Sequence, residues 1–240
     1  MKKTLLALGS FFACVSLFFC FTEMETRTFP ISEHLIERTA YSMAYDAHHR
    51  QARWVYEYIL DENLKKNADR SEKNFKEDPQ IHRKLRSSAK DYEGSGFDKG
   101  HLCPAADALQ SDTALKETFY YSNASPQKPE FNRGYWKKLE TYVRALAKEH
   151  KAIHVYTGPL YLPYEENGKR YVKYQVIGSN NVAVPTHFYK IVFLDSQKDN
   201  KPFKAFLVPN EDIKSDLPFS QFETSLDKIE RLAGIVFPRN

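Results

Sequence analysis

Asp98-Lys99-Gly100-His101 lies in a charged, glycine-punctuated stretch shortly before Pro104. Alone, such a tetrapeptide reads as a turn. Three polar residues downstream change its meaning. Asn123 follows His101 by 22 residues, in a polar Ser-Asn-Ala-Ser-Pro-Gln turn, and Asn132 follows it by 31, at the head of the clearest helical pattern. Glu140 is 8 residues beyond Asn132 on that helix. Eight helical residues advance about 80° past two full turns and rise about 12 Å. A glutamate side chain leans towards the helix N-terminus. Glu140 can therefore meet a water bound near Asn132, though not a metal there directly. An imidazole, with an ordinary pKa near about 6.5, accepts a proton from water at neutral pH.

Other reactive types read more plainly. His48-His49 are adjacent, point to different sides and have no further ligands in sequence, so they belong to the surface. Cys103 is read as a small buried hydrophobe. A catalytic thiolate there lacks an oriented Cys-His pair.

The elements that must position these residues follow from periodicity. Trp136, Leu139, Val143, Leu146 and His150 recur at helical spacing, which predicts an amphipathic helix over Asn132–His150. Strands are expected within Ile36–Tyr45 and over Trp54–Ile59, Phe119–Ser122, Ile153–Thr157, Arg170–Ile177, Thr186–Leu194 and Phe203–Val208. A short helix is expected over Asp107–Glu117, and a final one over Pro218–Leu232 with Ser220 or a neighbour near its start. Asp61–Lys90 is strongly charged and reads as a loop. Strands and helices without regular βαβ alternation argue for an α+β fold in one domain.

The 240 residues are 42% hydrophobic and 14% aromatic, enough to bury a core rather than remain disordered. Three cysteines exclude a disulfide scaffold. Met1-Lys2-Lys3 followed by the uncharged, apolar Thr4–Phe21 reads as a targeting segment over residues 1–22. It is a cleaved secretory signal, a lipid anchor at Cys20 or an uncleaved membrane anchor, with the body outside in each case. Localisation is therefore expected to be secreted or periplasmic, with any membrane contact made through this segment alone. Without Lys2 and Lys3 the net charge falls from +4 to +2. Affinity for nucleic acid must then come from a local patch, for which Arg133, Lys137 and Lys138 are candidates.

The stretches DYEGSGFDKGHLCPAADA and FYYSNASPQKPEFNRGYWKKLE resemble the DNA/RNA non-specific endonucleases. That family includes secreted bacterial sugar-non-specific nucleases and mitochondrial endonuclease G. ADRSEKNFKEDPQI upstream, and HVYTGPLY, VPTHFYKIVF, AFLVPN and IERLAGIVF downstream, extend the likeness in order over Ile31–Pro238. The resemblance implies a single endonuclease domain over 31–240. Its core is a mixed or antiparallel sheet with a ββα-metal (His-Me finger) motif. It implies His101 as general base and Asn132 as the protein ligand of a hydrated Mg²⁺, with Mn²⁺ as a possible substitute. It further implies that Glu140 orders the metal's waters, Arg70 clamps the scissile phosphate and Asn123 holds the site together. Lys99 departs from the family's usual Asp-Arg-Gly-His. It keeps the charge but loses the planar fork that grips phosphate in two places.

These types match what a phosphodiester demands: a deprotonated water, charge stabilisation on phosphoryl oxygens and a proton for the leaving oxygen. Mg²⁺ takes oxygen ligands and keeps several waters, so one amide oxygen suffices from the protein. The expected substrates are DNA and RNA, without a small-molecule cofactor, and the expected products carry 5′-phosphates. The alternative is a catalytically weakened nucleic-acid-binding surface protein, with Lys99 as its sign. Plainer readings stand beside each residue. Asn132 is also a favoured helix cap. Glu140 has Lys137 and Arg144 at pairing distance along the helix.

Overall fold

Residues 33–65, 67–69, 74–194 and 203–238 are described by the structure, a computed structural model. Residues 1–22, where a targeting segment is expected, and Arg70 lie outside the described residues. Six antiparallel strands form the main sheet: β1 (Glu33–Glu37), β2 (Ser42–Asp46), β3 (Gln51–Leu60), β6 (Ala152–Leu160), β11 (His187–Leu194) and β12 (Phe203–Pro209), in that spatial order. The expected α+β class with an antiparallel core is what is observed.

Period-two alternation explains why both faces of this sheet are covered. On β11, Phe188, Val192 and Leu194 point to one side and Tyr189, Ile191 and Phe193 to the other, all buried. The long helix α4 (Lys137–His150) lays Val143, Leu146 and Ala147 on the first side, against Ile59, Ile153, Val155 and Val192. The short C-terminal helix α5 (Leu226–Ala233) lays Leu226 and Ile229 on the second, with Phe237, against Tyr189, Ile191 and Phe193.

Neighbouring β3 and β6 are separated in sequence by a long excursion that carries the site. It contains a one-turn helix α1 (Ala89–Tyr92), strand β4 (Asp98–His101), helix α2 (Asp112–Thr118), strand β5 (Ala124–Gln127), a single turn α3 (Pro129–Phe131), a wide turn with π geometry (Asn132–Trp136), and then α4. β4 pairs antiparallel with β5, Asp98 opposite Gln127 and His101 opposite Ala124. Between β6 and β11 the chain forms the exposed hairpin β7 (Tyr164–Glu166) and β8 (Lys169–Tyr171). The two-residue pair β9 (Val176–Ile177) and β10 (Val182–Ala183) follows.

Several boundaries differ from expectation for identifiable reasons. Ile36–Tyr45 is the hairpin β1–β2 rather than one strand, with Arg38 N–H donating to Tyr41 C=O across its turn. Phe119–Ser122 is no strand. The chain bends through a 3₁₀ turn at Tyr121–Asn123, and the strand is the following ASPQ. A proline inside ASPQ hid it from pattern reading, but in this two-stranded pair Pro126 can lie on an edge. Arg170–Ile177 is split between β8 and β9. The last helix starts late: Ser225 caps it, its hydroxyl accepting from Lys228 N–H, while Ser220 lies in a separate turn at Phe219–Gln221.

Candidate active site

β4 puts four successive side chains to alternate uses. Lys99 and His101 line an open cleft of about 440 Å³ together with Asn132, Arg133, Lys137, Glu140 and Arg144. Asp98, on the opposite face of the strand, turns to the helix beyond β5. Gly100 is buried against β5, where an added Cβ would overlap the Gln127 side chain. The glycine is what lets the two strands close and carry His101 to the cleft.

His101 is gripped by rings. Its centroid lies 4.8 Å from that of Phe75 and 4.9 Å from that of Phe119, the latter nearly perpendicular. Phe75 is held in turn by a backbone bridge, Lys76 N–H donating to Phe119 C=O at 2.8 Å and Tyr121 N–H to Lys76 C=O at 2.9 Å. These walls limit the ring's rotation and its solvation. The sequence gives neither phenylalanine a place at the site, because only the folded chain brings them beside the histidine.

Asn132 is not a helix cap. Its backbone is helical (φ −59°, ψ −50°), and the helical run already begins at Pro129. It opens the wide turn Asn132–Trp136, a device often found where a helix serves a site. A wide turn advances each residue by less than the α-helical 100°. The offset of about 80° expected between Asn132 and Glu140 therefore shrinks. Both side chains accordingly face the same cleft.

The Asn132 amide has a defined orientation. Its Nδ2 donates to Asp98 Oδ2 at 2.8 Å, and an ionised carboxylate only accepts. Oδ1 is thus the atom left for another partner. Arg133 closes on the same carboxylate from outside, Nε to Oδ2 at 2.8 Å and a terminal nitrogen to Oδ1 at 2.6 Å. Partial burial works against the charge of Asp98. The hydrogen bonds from Arg133 and Asn132 outweigh that, and its pKa lies below the ordinary carboxylate value.

Asn123 is fully buried and acts as a clamp. Its Oδ1 accepts from Cys103 N–H, and its Nδ2 donates to the carbonyls of Cys103 and Thr118, all at 2.9 Å. It ties the loop after His101 to the end of α2. The preceding Ser122 donates to Asp78, which also holds Arg38 in a buried ion pair. Asn123→Ala strands three buried backbone groups, each costing about 1–3 kcal/mol. We expect it to lower unfolding stability by about 3–5 kcal/mol, read as a fall in the urea midpoint at constant m-value. A loss below about 1 kcal/mol would remove the clamp from this account.

Sequence spacing gives Arg144, one turn beyond Glu140, only as a pairing partner on the helix surface. It does not serve merely as a helix-surface partner of Glu140. Its guanidinium donates to Asp107 at 2.8 Å and to Thr141 Oγ1 at 3.0 Å while lining the cleft. Lys138 faces away, donating to Ser215 C=O at 2.8 Å, so it leaves the proposed basic patch. Lys99, Arg133, Lys137 and Arg144 supply that patch, which favours a polyanion despite the chain's small net charge. Lys99 is exposed, its ammonium 5.8 Å from the Tyr121 ring centroid and 5.9 Å from that of Phe75.

Cys103 is fully buried, and burial pushes its thiol pKa well up, which excludes a thiolate nucleophile. His49 stacks on Tyr161 and meets Asp46 at 2.5 Å, while His48 is exposed. Among the described residues no three His, Cys, Asp or Glu side chains are placed to hold a metal ion. A closed zinc-type centre is thereby unsuited to this cleft. A hard, largely hydrated cation held by one oriented amide oxygen beside Glu140 fits it.

The family described as DNA/RNA non-specific endonuclease matches residues 22–240 of this chain. Human mitochondrial endonuclease G is 42% identical over 207 residues, spanning 86% of this chain and 70% of that protein. Nuclease C1 of Cunninghamella echinulata var. echinulata is also 42% identical over 207 residues, spanning 84% and 81%. The crystal structure of an EndoG/EndoGI complex contains a chain that superposes with a TM-score of 0.83 at 42% identity, covering 87% of each chain.

Proposed function

The chain belongs to the DNA/RNA non-specific endonuclease family, and from that premise we propose that it is an exported, Mg²⁺-dependent endonuclease acting on DNA and RNA with little sequence preference. The observation that carries the reading is the Asn132 amide, aimed by Asp98 into the cleft that also holds His101, Glu140 and Arg144. Nuclease activity itself is a property of the family. Metal identity, residue roles, 5′-phosphate products and export are our inferences.

In this reading the neutral His101 imidazole takes a proton from the attacking water. The rings of Phe75 and Phe119 hold it facing the phosphate. Asn132 Oδ1 would hold the ion, and Glu140 would accept hydrogen bonds from its hydration shell. When bound, such an ion would offset charge on the phosphate oxygens and acidify a water of its shell, whose proton would go to the departing O3′ and leave a 5′-phosphate. Lys99, Lys137 and Arg144 meet backbone phosphates, which carry no base information, and low sequence preference follows. Export is proposed from Met1–Phe21 of the sequence alone.

The test is cleavage of closed circular plasmid and of RNA by protein lacking residues 1–22, with Mg²⁺, with Mn²⁺ and with EDTA. Nicking and RNA loss in either metal, abolished by the chelator, are expected. Binding without cleavage in any metal would instead establish a weakened binder, and Lys99→Arg would then be expected to restore activity. Cleavage that persists in EDTA would overturn the metal assignment.

A further inference from the structure

A set of ionisable side chains is buried directly beneath the cleft. Glu57 points from β3 to the face of the sheet that α4 covers, and it is 1% exposed. Each element packed there brings a charge or a titratable group. Asp107 comes from the turn after β4, Cys103 from the loop before it, Lys190 from β11 and Glu140 from α4. Asp107 carries Arg144, which lines the cleft. Lys190 donates to Thr157 Oγ1 at 2.5 Å and stands 5.1 Å from the Trp136 ring centroid.

Glu57 and Asp107 are both buried carboxyls, and like charges held together there oppose each other's ionisation. A buried unpaired charge is the most costly arrangement, and the usual relief is to protonate one group. Asp107 has a guanidinium at 2.8 Å, whereas among the described residues Glu57 has no Lys or Arg nitrogen in ion-pair reach, and its Oε1 has no hydrogen-bond partner. Glu57 is therefore the group that keeps the proton. Burial first, then Asp107 and Glu140, push its pKa up to about 8 against the pull of Lys190 and Cys103.

We propose that Glu57 is a positioning residue of the nuclease site, held as the uncharged acid beneath Arg144 and Glu140, and that its ionisation in mild alkali turns the site off. The inference rests on the nuclease reading. An added anion beneath the cleft repels Glu140 and Asp107, draws the cations inward and opposes entry of phosphate. No residue that touches substrate need change.

Glutamine copies the shape of the protonated acid but does not titrate, so Glu57→Gln separates the two states. Plasmid nicking is followed from pH 6 to 9.5, each protein normalised to its own rate at pH 7. By pH 9 the parent is expected to have lost about tenfold, as one ionisation near pH 8 dictates, and the variant less than about twofold. A parallel decline in both proteins, or a parent that stays flat to pH 9, would overturn the proposal. A second readout does not depend on cleavage. Because the folded-state pKa is raised, the contribution of Glu57 to stability is complete below its ordinary value and is lost as pH rises through about 8. The melting temperature of Glu57→Gln minus that of the parent should therefore grow between about pH 4.5 and 8 and then level off. A constant difference would show that Glu57 is not a buried neutral acid and sink the proposal. Growth of that difference with no cleavage by either protein would overturn the nuclease reading, and the positioning role with it.

Discussion

His101→Ala is expected to slow nicking of closed circular plasmid by about 10²–10⁴-fold, the range that a positioned general base supplies. The argument is geometric. His101 is the imidazole that lines the cleft with Asn132 and Glu140, and two phenylalanine rings pack against it. Removing the ring leaves the four cleft cations in place, so DNA affinity should fall by less than about threefold, since phosphate contacts dominate affinity. The variant also opens space between Phe75 and Phe119. His101→Gln fills most of it and should be equally slow, which separates loss of the base from loss of packing. Both proteins must melt as one transition for the comparison to stand. Retention of more than about a tenth of the parental rate in both would show that the base lies elsewhere.

Asn132→Ala is the second large effect. If its Oδ1 holds the ion, deletion removes a contribution of several kcal/mol to transition-state stabilisation, or about 10³-fold in rate. The residual activity should need more Mg²⁺, so the metal concentration at half-maximal rate should rise. Asp98→Ala provides a graded control. It leaves Oδ1 present but frees the amide to rotate, and partners of metal ligands commonly cost about 10–100-fold. The order expected is therefore parent, then Asp98→Ala, then Asn132→Ala. If Asp98→Ala were as fast as the parent, orientation of the amide would not matter. If Asn132→Ala kept the parental rate and metal dependence, the ligand assignment would fail.

Residue type and spacing carried much of the site. His101, Asn123, Asn132 and Glu140 stand out in the sequence because polar residues at those intervals, within ordered blocks, resemble a family pattern, and the folded chain brings them around one loop and one cleft. The amphipathic stripe from Trp136 to His150 likewise announced the helix, because burial of one helical face imposes its own period. Local rules failed where a local conflict was settled by distant partners. β5 is a strand despite Pro126, because its pairing to β4 leaves room for a missing donor. Asn132 looked like a cap because asparagine is one at many helix starts, yet the helix begins three residues earlier and widens at Asn132 itself.

By itself, then, the sequence determined the α+β class, the long helix and the main strands, which depend on composition and short-range periodicity, and it marked the candidate site residues through their resemblance to a family pattern. Only the tertiary structure decided which atom of Asn132 faces the cleft, that Phe75 and Phe119 enclose His101, that Arg144 belongs to the cleft and Lys138 does not, and that Glu57 lies beneath it all. Each of these rests on contacts between segments tens of residues apart. A hydrogen bond, a ring contact or a buried charge is fixed by distance in space, to which spacing along the chain is blind.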